Sequence, residues 1–207
     1  MLLNRFSLMA RLAASRDESR FNINVLRVES DGRTVATDGH RLYTVTPPPD
    51  ADDAEYPDVG DVPATLDPLA DFSMPRDVAE RIAKALPKKP RLAILGSARL
   101  DVAATNADGK VRVVVTDLDT VTPIEARKVD GDFPDWRQVL PEGDPVASFT
   151  VNGRYLADVA KAAADFSGTR GCAVRVECFG ELSPIRFTAE NPETGQTFVG
   201  VVMPMRA

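Results

Sequence analysis

Apolar positions repeat one theme three times along the chain: a short apolar strand, a capping residue, an amphipathic helix, then several strands. The first copy opens with Met1–Leu3, followed by Asn4 as an N-cap and RFSLMARLAASRD as a helix. FNINVLRVES, RTVATDG and RLYTVTP predict strands, with a turn at Ser30-Asp31-Gly32. In the second copy DFSMP leads into the helix RDVAERIAKALP. Pro75 suits its first position, and Val78, Ile82 and Ala85 line one side. RLAILGS, RLDVAATN, KVRVVVTDLD and TPIEARKV predict strands, broken at Asn106-Ala107-Asp108-Gly109. The third copy starts at ASFTV, with Asn152 as N-cap. Its helix, GRYLADVAKAAADF, puts Leu156, Val159, Ala160 and Ala163 on one stripe. CAVRVECF, SPIRFTAEN and QTFVGVVMPM predict strands, turned at Asn191–Gly195. The class is α+β, and with little identity between copies the repeat is one of architecture.

Residues 46–68 are rich in proline and acid, lack periodicity, and predict an exposed loop. The implied layout is a two-module domain over 1–135 (modules 1–50 and 69–135), a connector over 136–145, and a third module over 146–207.

Composition narrows the class. The 207 residues are ample for a real core, with 43% hydrophobic and 27% charged positions and a formal net charge of -6. The acidic balance argues against a chain coated in basic charge, although association follows the local field. No apolar run approaches the roughly 18 residues that span a bilayer. The N-terminus, interrupted by Asn4, Arg5 and Arg11, lacks a signal-peptide core. Cys172 and Cys178 share one strand and cannot reach each other for a disulfide. Both are expected buried and reduced, in a cytoplasmic protein. With one histidine and no Cys-x-x-Cys, no zinc site or other cofactor is implied.

That histidine, His40, sits in ATDGHRLYTV beside Asp38 and Arg41. A catalytic reading needs an orienting partner and a cleft, and no motif marks either. The plainer reading is a turn shaped by Thr37, Asp38 and Gly39, with His40 and Arg41 partly exposed.

Three segments say more. VATDGHRL (35–42), DGDFPDWRQVLP (130–141) and VVMPMRA (201–207) closely resemble, in order, segments of the bacterial sliding clamp, the beta subunit of DNA polymerase III. Trp136 stands where that family commonly has tyrosine, and Ala207 where it has leucine. The resemblance implies the DNA-clamp fold, with helices lining a ring and sheets outside. This chain would hold three β-α-β-β-β modules, one and a half clamp domains. It also implies a non-enzymatic processivity factor that encircles duplex DNA without reading it. Polymerase and other clamp-binding-motif proteins would dock in a peptide pocket, and a clamp loader is a further candidate partner.

By motif match Thr37, Gly39, His40, Arg41 and Leu42 line that pocket. Pro134 and Val139 join them, Val201, Met203, Pro204, Met205 and Arg206 close it, and Ile23 is added from the aligned strand FNINVL. Methionines suit varied peptide side chains. DNA contact would be electrostatic. Its candidates are Arg81, Lys84 and Lys88 on one face of the second helix, Arg5, Arg11 and Arg16 on the first, and Arg154 and Lys161 on the third, beside Asp158 and Asp165. A family ring has twelve modules, so three per chain gives a homotetramer. Alternation of modules up and down makes its contacts isologous and its symmetry dihedral. Two rivals remain: a peptide-binding module that never encircles DNA, and an enzyme using His40 with Asp38.

Overall fold

The computed structural model describes residues 1–47, 56, 57, 62, 69–107, 109–168 and 172–205. They form two compact units, Met1–Leu140 and Pro141–Ala207.

The first unit holds β1 (Leu2–Asn4), a 3-10 helix (Ser7–Ala13), β2 (Val25–Val28), β3 (Thr34–Thr37) and β4 (Leu42–Val45). Then come β5 (Phe72–Pro75), α1 (Arg76–Ala85), β6 (Ser97–Leu100), α2 (Val102–Ala107), β7 (Lys110–Thr116) and β8 (Val121–Arg127). A short 3-10 turn, Trp136–Val139, comes last. Both sheets are antiparallel and four-stranded, in orders β4-β3-β2-β5 and β1-β6-β7-β8. Each sheet therefore takes one edge strand from the other module. Leu26 pairs with Met74 across β2 and β5, and Leu3 pairs with Ala98 across β1 and β6. This reciprocal exchange produces one shared core, in which Leu3, Leu26, Met74, Ile82, Ala98 and Leu100 are fully buried. Large side chains at both sheets and both helices close the interior to water, the main stabilising term of the unit.

The second unit holds α3 (Gly153–Ser167), β9 (Arg175–Glu177), β10 (Ile185–Glu190) and β11 (Thr197–Val202), with sheet order β11-β10-β9. Its core is small: Ile185, Phe187 and Val202, flanked by Val151, Val159 and Val174.

Several expectations change. The first helix is shorter than RFSLMARLAASRD and wound as 3-10. Ser7, Ala10 and Ala13 recur every third residue and are buried, while Phe6, Met9 and Leu12 recur on the exposed side. The N-cap position is Phe6 rather than Asn4, although Asn4 Oδ1 still accepts from the amides of Phe6 and Ser7 at 2.9 and 2.8 Å at the entry to the segment. Phe21–Asn24 turns instead of extending, so Ile23 sits on a turn before β2. RLAILGS forms a 3-10 turn (Ala93–Gly96) before β6, and VAATNA, with mixed local tendencies, is helical in α2, where packing decides. α1 starts at Arg76, one residue past Pro75, and ends at Ala85, so Lys88 lies beyond it. ASFTV joins no ladder among the described residues, and CAVRVECF shrinks to Arg175–Glu177. Both cysteines are exposed and outside any disulfide: with only three residues in the ladder, the alternation does not bury them. Of the acidic loop, Tyr56 and Val62 are buried at 3% and 0% exposure. The Arg99 guanidinium donates to the Tyr56 carbonyl at 2.8 Å and stacks over its ring at 4.7 Å, pinning this stretch inward. Asp108, Arg206, Ala207 and most of the 46–68 loop lie outside the described residues.

Candidate functional site

The turn between β3 and β4 is built by two side chains. Thr37 Oγ1 donates to the Arg41 carbonyl at 2.8 Å and accepts from the Gly39 amide at 3.0 Å. Asp38 Oδ1 accepts from the amides of His40 and Arg41 at 2.9 and 3.1 Å, and Arg41 Nε donates to Oδ2 at 3.0 Å. The amide of His40, then the amide and guanidinium of Arg41, hold the Asp38 carboxyl below its ordinary range. Gly39 takes φ +89°, and a Cβ there would come within 3.0 Å of Arg20 Nη2. Arg20 uses its other terminal nitrogen, Nη1, to donate to the Asp38 carbonyl at 3.0 Å.

The opposing wall is the turn Trp136–Val139. Asp135 opens it, its Oδ1 accepting from the Arg137 amide and its Oδ2 from Gln138 Nε2. Trp136 is buried and donates from Nε1 to Glu29 Oε1 at 2.9 Å. Arg137 forks onto both oxygens of that carboxylate, at 3.0 and 2.7 Å, and lies 4.4 Å over the indole. A buried carboxylate held by three charge-assisted or indole bonds is well satisfied. This clamp seats the turn beside the end of β2 and leaves Val139 68% exposed.

Between the walls lies a hollow of about 490 Å³. It brings together Ile23, Thr37, Gly39, His40, Arg41, Leu42, Pro134 and Val139, all of the first-unit residues expected from the motifs. Arg20, Asn22, Asp135 and Trp136 also line it, and sequence reasoning missed their part. The floor is apolar and the rim carries donors, suited to an extended peptide with an apolar anchor. His40 lines the hollow, and its backbone amide is tied to Asp38 Oδ1.

The second unit carries its own hollow, about 630 Å³. Val201, Met203, Pro204 and Met205 line it with Tyr155 and Val159 of α3. Met203 and Met205 are more than half or half exposed, so they are not merely strand packing. β11 ends at Val202, and the Met205 amide donates to the Thr150 carbonyl at 2.7 Å, which sets the path of this tail. Gly200 lets α3 approach: a Cβ there would meet Val159 at 2.5 Å.

Of the cations expected at DNA, Arg5, Arg16, Arg81, Lys84, Lys88, Arg154 and Lys161 are exposed. Arg11 differs. Its Nε bonds Glu80 Oε2 at 2.7 Å and its Nη1 the Leu8 carbonyl, and its side chain is 15% exposed. It ties the 3-10 helix to α1. Lys84 also meets Glu80, at 3.6 Å, while remaining 75% exposed. Arg5 and Arg16 flank the 3-10 helix rather than lying on it. No group of acidic, histidine and cysteine side chains able to hold a metal occurs among the described residues, and no helix among them is long and apolar enough to cross a membrane.

No protein-family model matches the chain, and no curated protein matches it in sequence. Solved structures do match. The DNA polymerase III beta chain of Streptococcus pneumoniae TIGR4 superposes with a TM-score of 0.68 at 18% identity, over 100% of this chain and 49% of that one. The beta sliding clamp of C. crescentus gives 0.66 at 23% identity, over 99% and 50%. The beta clamp of Helicobacter pylori bound to a DNA ligase peptide gives 0.56 at 12% identity, over 98% and 47%. The chain spans about half the length of these structures, and its fold is that of the bacterial DNA polymerase III beta clamp.

Proposed function

We propose that the chain is a subunit of a DNA sliding clamp, a non-enzymatic processivity factor that tethers polymerase and other partners through a peptide site. One observation carries this reading. Eight residues from three separate stretches, seven picked out by motif and Ile23 by its aligned strand, line one hollow of about 490 Å³. The same reading gives the tail Val201–Arg206 a role in holding the partner peptide. An apolar anchor fills a hollow, and Arg20, His40 and Arg41 bond the peptide backbone at the rim.

The test is a fluorescence-anisotropy titration with a clamp-binding peptide from a bacterial DNA polymerase, against its scrambled version. Val139→Asp puts a charge on the apolar wall and should weaken binding at least tenfold without unfolding the chain, since Val139 is exposed. Equal binding of native and scrambled peptide would sink the reading.

Encirclement of DNA belongs to the same proposal. Three modules per chain require four copies for a twelve-module ring, with the exposed cations on the helices facing duplex DNA. Trapping is topological, so it should survive salt on circular DNA and vanish on linear DNA, whereas simple ionic binding weakens on both. A second reading, a peptide-binding module that never encloses DNA, draws support from the 3-10 helix. Arg11 is spent on Glu80, and the exposed stripe is Phe6, Met9 and Leu12 rather than cationic. Retention on circular DNA decides between them.

A further inference from the structure

The three modules share a strand register. Leu26-Arg27-Val28-Glu29, Ala98-Arg99-Leu100-Asp101 and Val174-Arg175-Val176-Glu177 are one pattern: apolar, arginine, apolar, acid. Each arginine lies on the first strand after its module's helix, β2, β6 and β9. Pairing to the next strand agrees: Arg27 with Val35, Arg99 with Val114, and Arg175 with Thr188. In the first two modules the other side of this strand receives the exchanged edge strand. Ser73 lies opposite Arg27, and Leu2 opposite Arg99.

The third module has the same donor segment, which joins no recipient strand among the described residues. Ser73 and Thr150 both stand three residues before their helix, and each carbonyl accepts from an amide just past the module's last strand, Val129 or Met205. Asn4 and Asn152 make the same local bond, the Oδ1 of each accepting from the amide two residues on, that of Phe6 or Arg154, although Asn4 stands three residues before its 3-10 helix and Asn152 one before α3. Thus Phe149-Thr150-Val151 is the counterpart of Phe72-Ser73-Met74. Yet β9 pairs only with β10 among the described residues.

The packing is correspondingly half finished. Phe72 is 2% exposed and its counterpart Phe149 39%; Val28 and Leu100 are 0% exposed and their counterpart Val176 53%. An open hollow of about 640 Å³ lies between Ala173–Arg175 at the start of β9, Thr188–Asn191 at the end of β10 and Ser167 of α3, so the core of this unit is open at that end too. An unpaired strand edge with an apolar inner face is a template for another strand.

We infer that the second unit completes itself with a second copy of the chain by reciprocal strand exchange. Phe149–Val151 of each copy adds to β9 of the other, antiparallel, with Thr150 opposite Arg175 and Val151 opposite Val174. The contact is isologous: what each copy donates, it also receives. The first unit supplies the template, because it joins two such modules within one chain. This deepens the ring reading by placing one of its seams.

The seam is tested by a cross-link. In a Cys172→Ser, Cys178→Ser background, Thr150→Cys and Arg175→Cys place two thiols opposite each other across the seam, at cross-strand separations that a disulfide spans. Within one chain they cannot meet. Thr150 neighbours the end of β11, two strand spacings of about 5 Å each from β9. Oxidation should give a covalent species of twice the chain mass, reversed by reductant, and neither single cysteine variant should. In the uncross-linked protein Val176→Asp should halve the mass seen by light scattering. A monomeric wild type at tens of micromolar, a dimer that does not cross-link, or thiols consumed with no doubling of mass would each overturn the seam. Peptide affinity is read separately: its loss with the cross-link intact defeats the clamp proposal and not the seam, and the converse defeats only the seam.

Discussion

Gly39 and Leu118 show which parts of the β3–β4 turn are architecture and which are site. The turn between β7 and β8 repeats the same bonds. Thr116 Oγ1 donates to the Thr120 carbonyl and accepts from the Leu118 amide, and Asp117 Oδ1 accepts from the amides of Asp119 and Thr120. Leu118 takes φ +80° where Gly39 takes +89°. The threonine and aspartate of TDGHR are therefore turn chemistry used twice, and what is particular to the hollow is Gly39, His40 and Arg41. A side chain is tolerated at this φ in one turn; glycine in the other leaves room for Arg20. Gly39→Ala should cost about 1 kcal/mol of stability through the left-handed backbone. It should also displace Arg20 from the Asp38 carbonyl and weaken peptide binding by more than that loss explains. Thermal unfolding and a peptide titration on the same sample separate the two effects.

At the scale of elements, the two turns share a response to acid. Backbone amides hold Asp38 and Asp117 below their ordinary value of 3.8. Carboxyls depressed on folding stabilise fully above the unfolded value, and that contribution is lost as pH falls through the folded one. Folding stability should therefore keep this contribution down to about pH 4 and lose it below, and Asp38→Asn should remove part of that acid step; thermal unfolding followed against pH checks it. The same elements show what the sequence discloses. VATDGHRL could be read because its residues are contiguous and their turn is local. Trp136 could not be assigned its anchor, because Glu29 lies 107 positions away and neither residue signals the other. Arg20 and Asn22 enter the hollow through a turn that the apolar run of FNINVL disguises as strand. The cysteines were misplaced for a related reason: alternation over CAVRVECF sets faces only where a ladder holds the chain extended, and the ladder stops at Glu177. VAATNA has mixed tendencies, which the surrounding packing resolves as helix.

For the whole molecule, the three-module theme and the α+β class were legible from periodicity, and the clamp fold from three motifs. The exchange of edge strands was not, because β1 and β6 lie nearly a hundred residues apart and no local pattern names a partner. That exchange makes the two halves of the first unit inseparable. Each half lends the other an edge strand, and both feed one interior. A protease cut between β4 and β5 should thus produce two pieces on a denaturing gel and still a single particle on a sizing column, melting as one. Pieces that drift apart after the cut would mean that the lent strands carry little weight. If they stay together, a linear gene has made a body whose integrity does not depend on the continuity of its own chain.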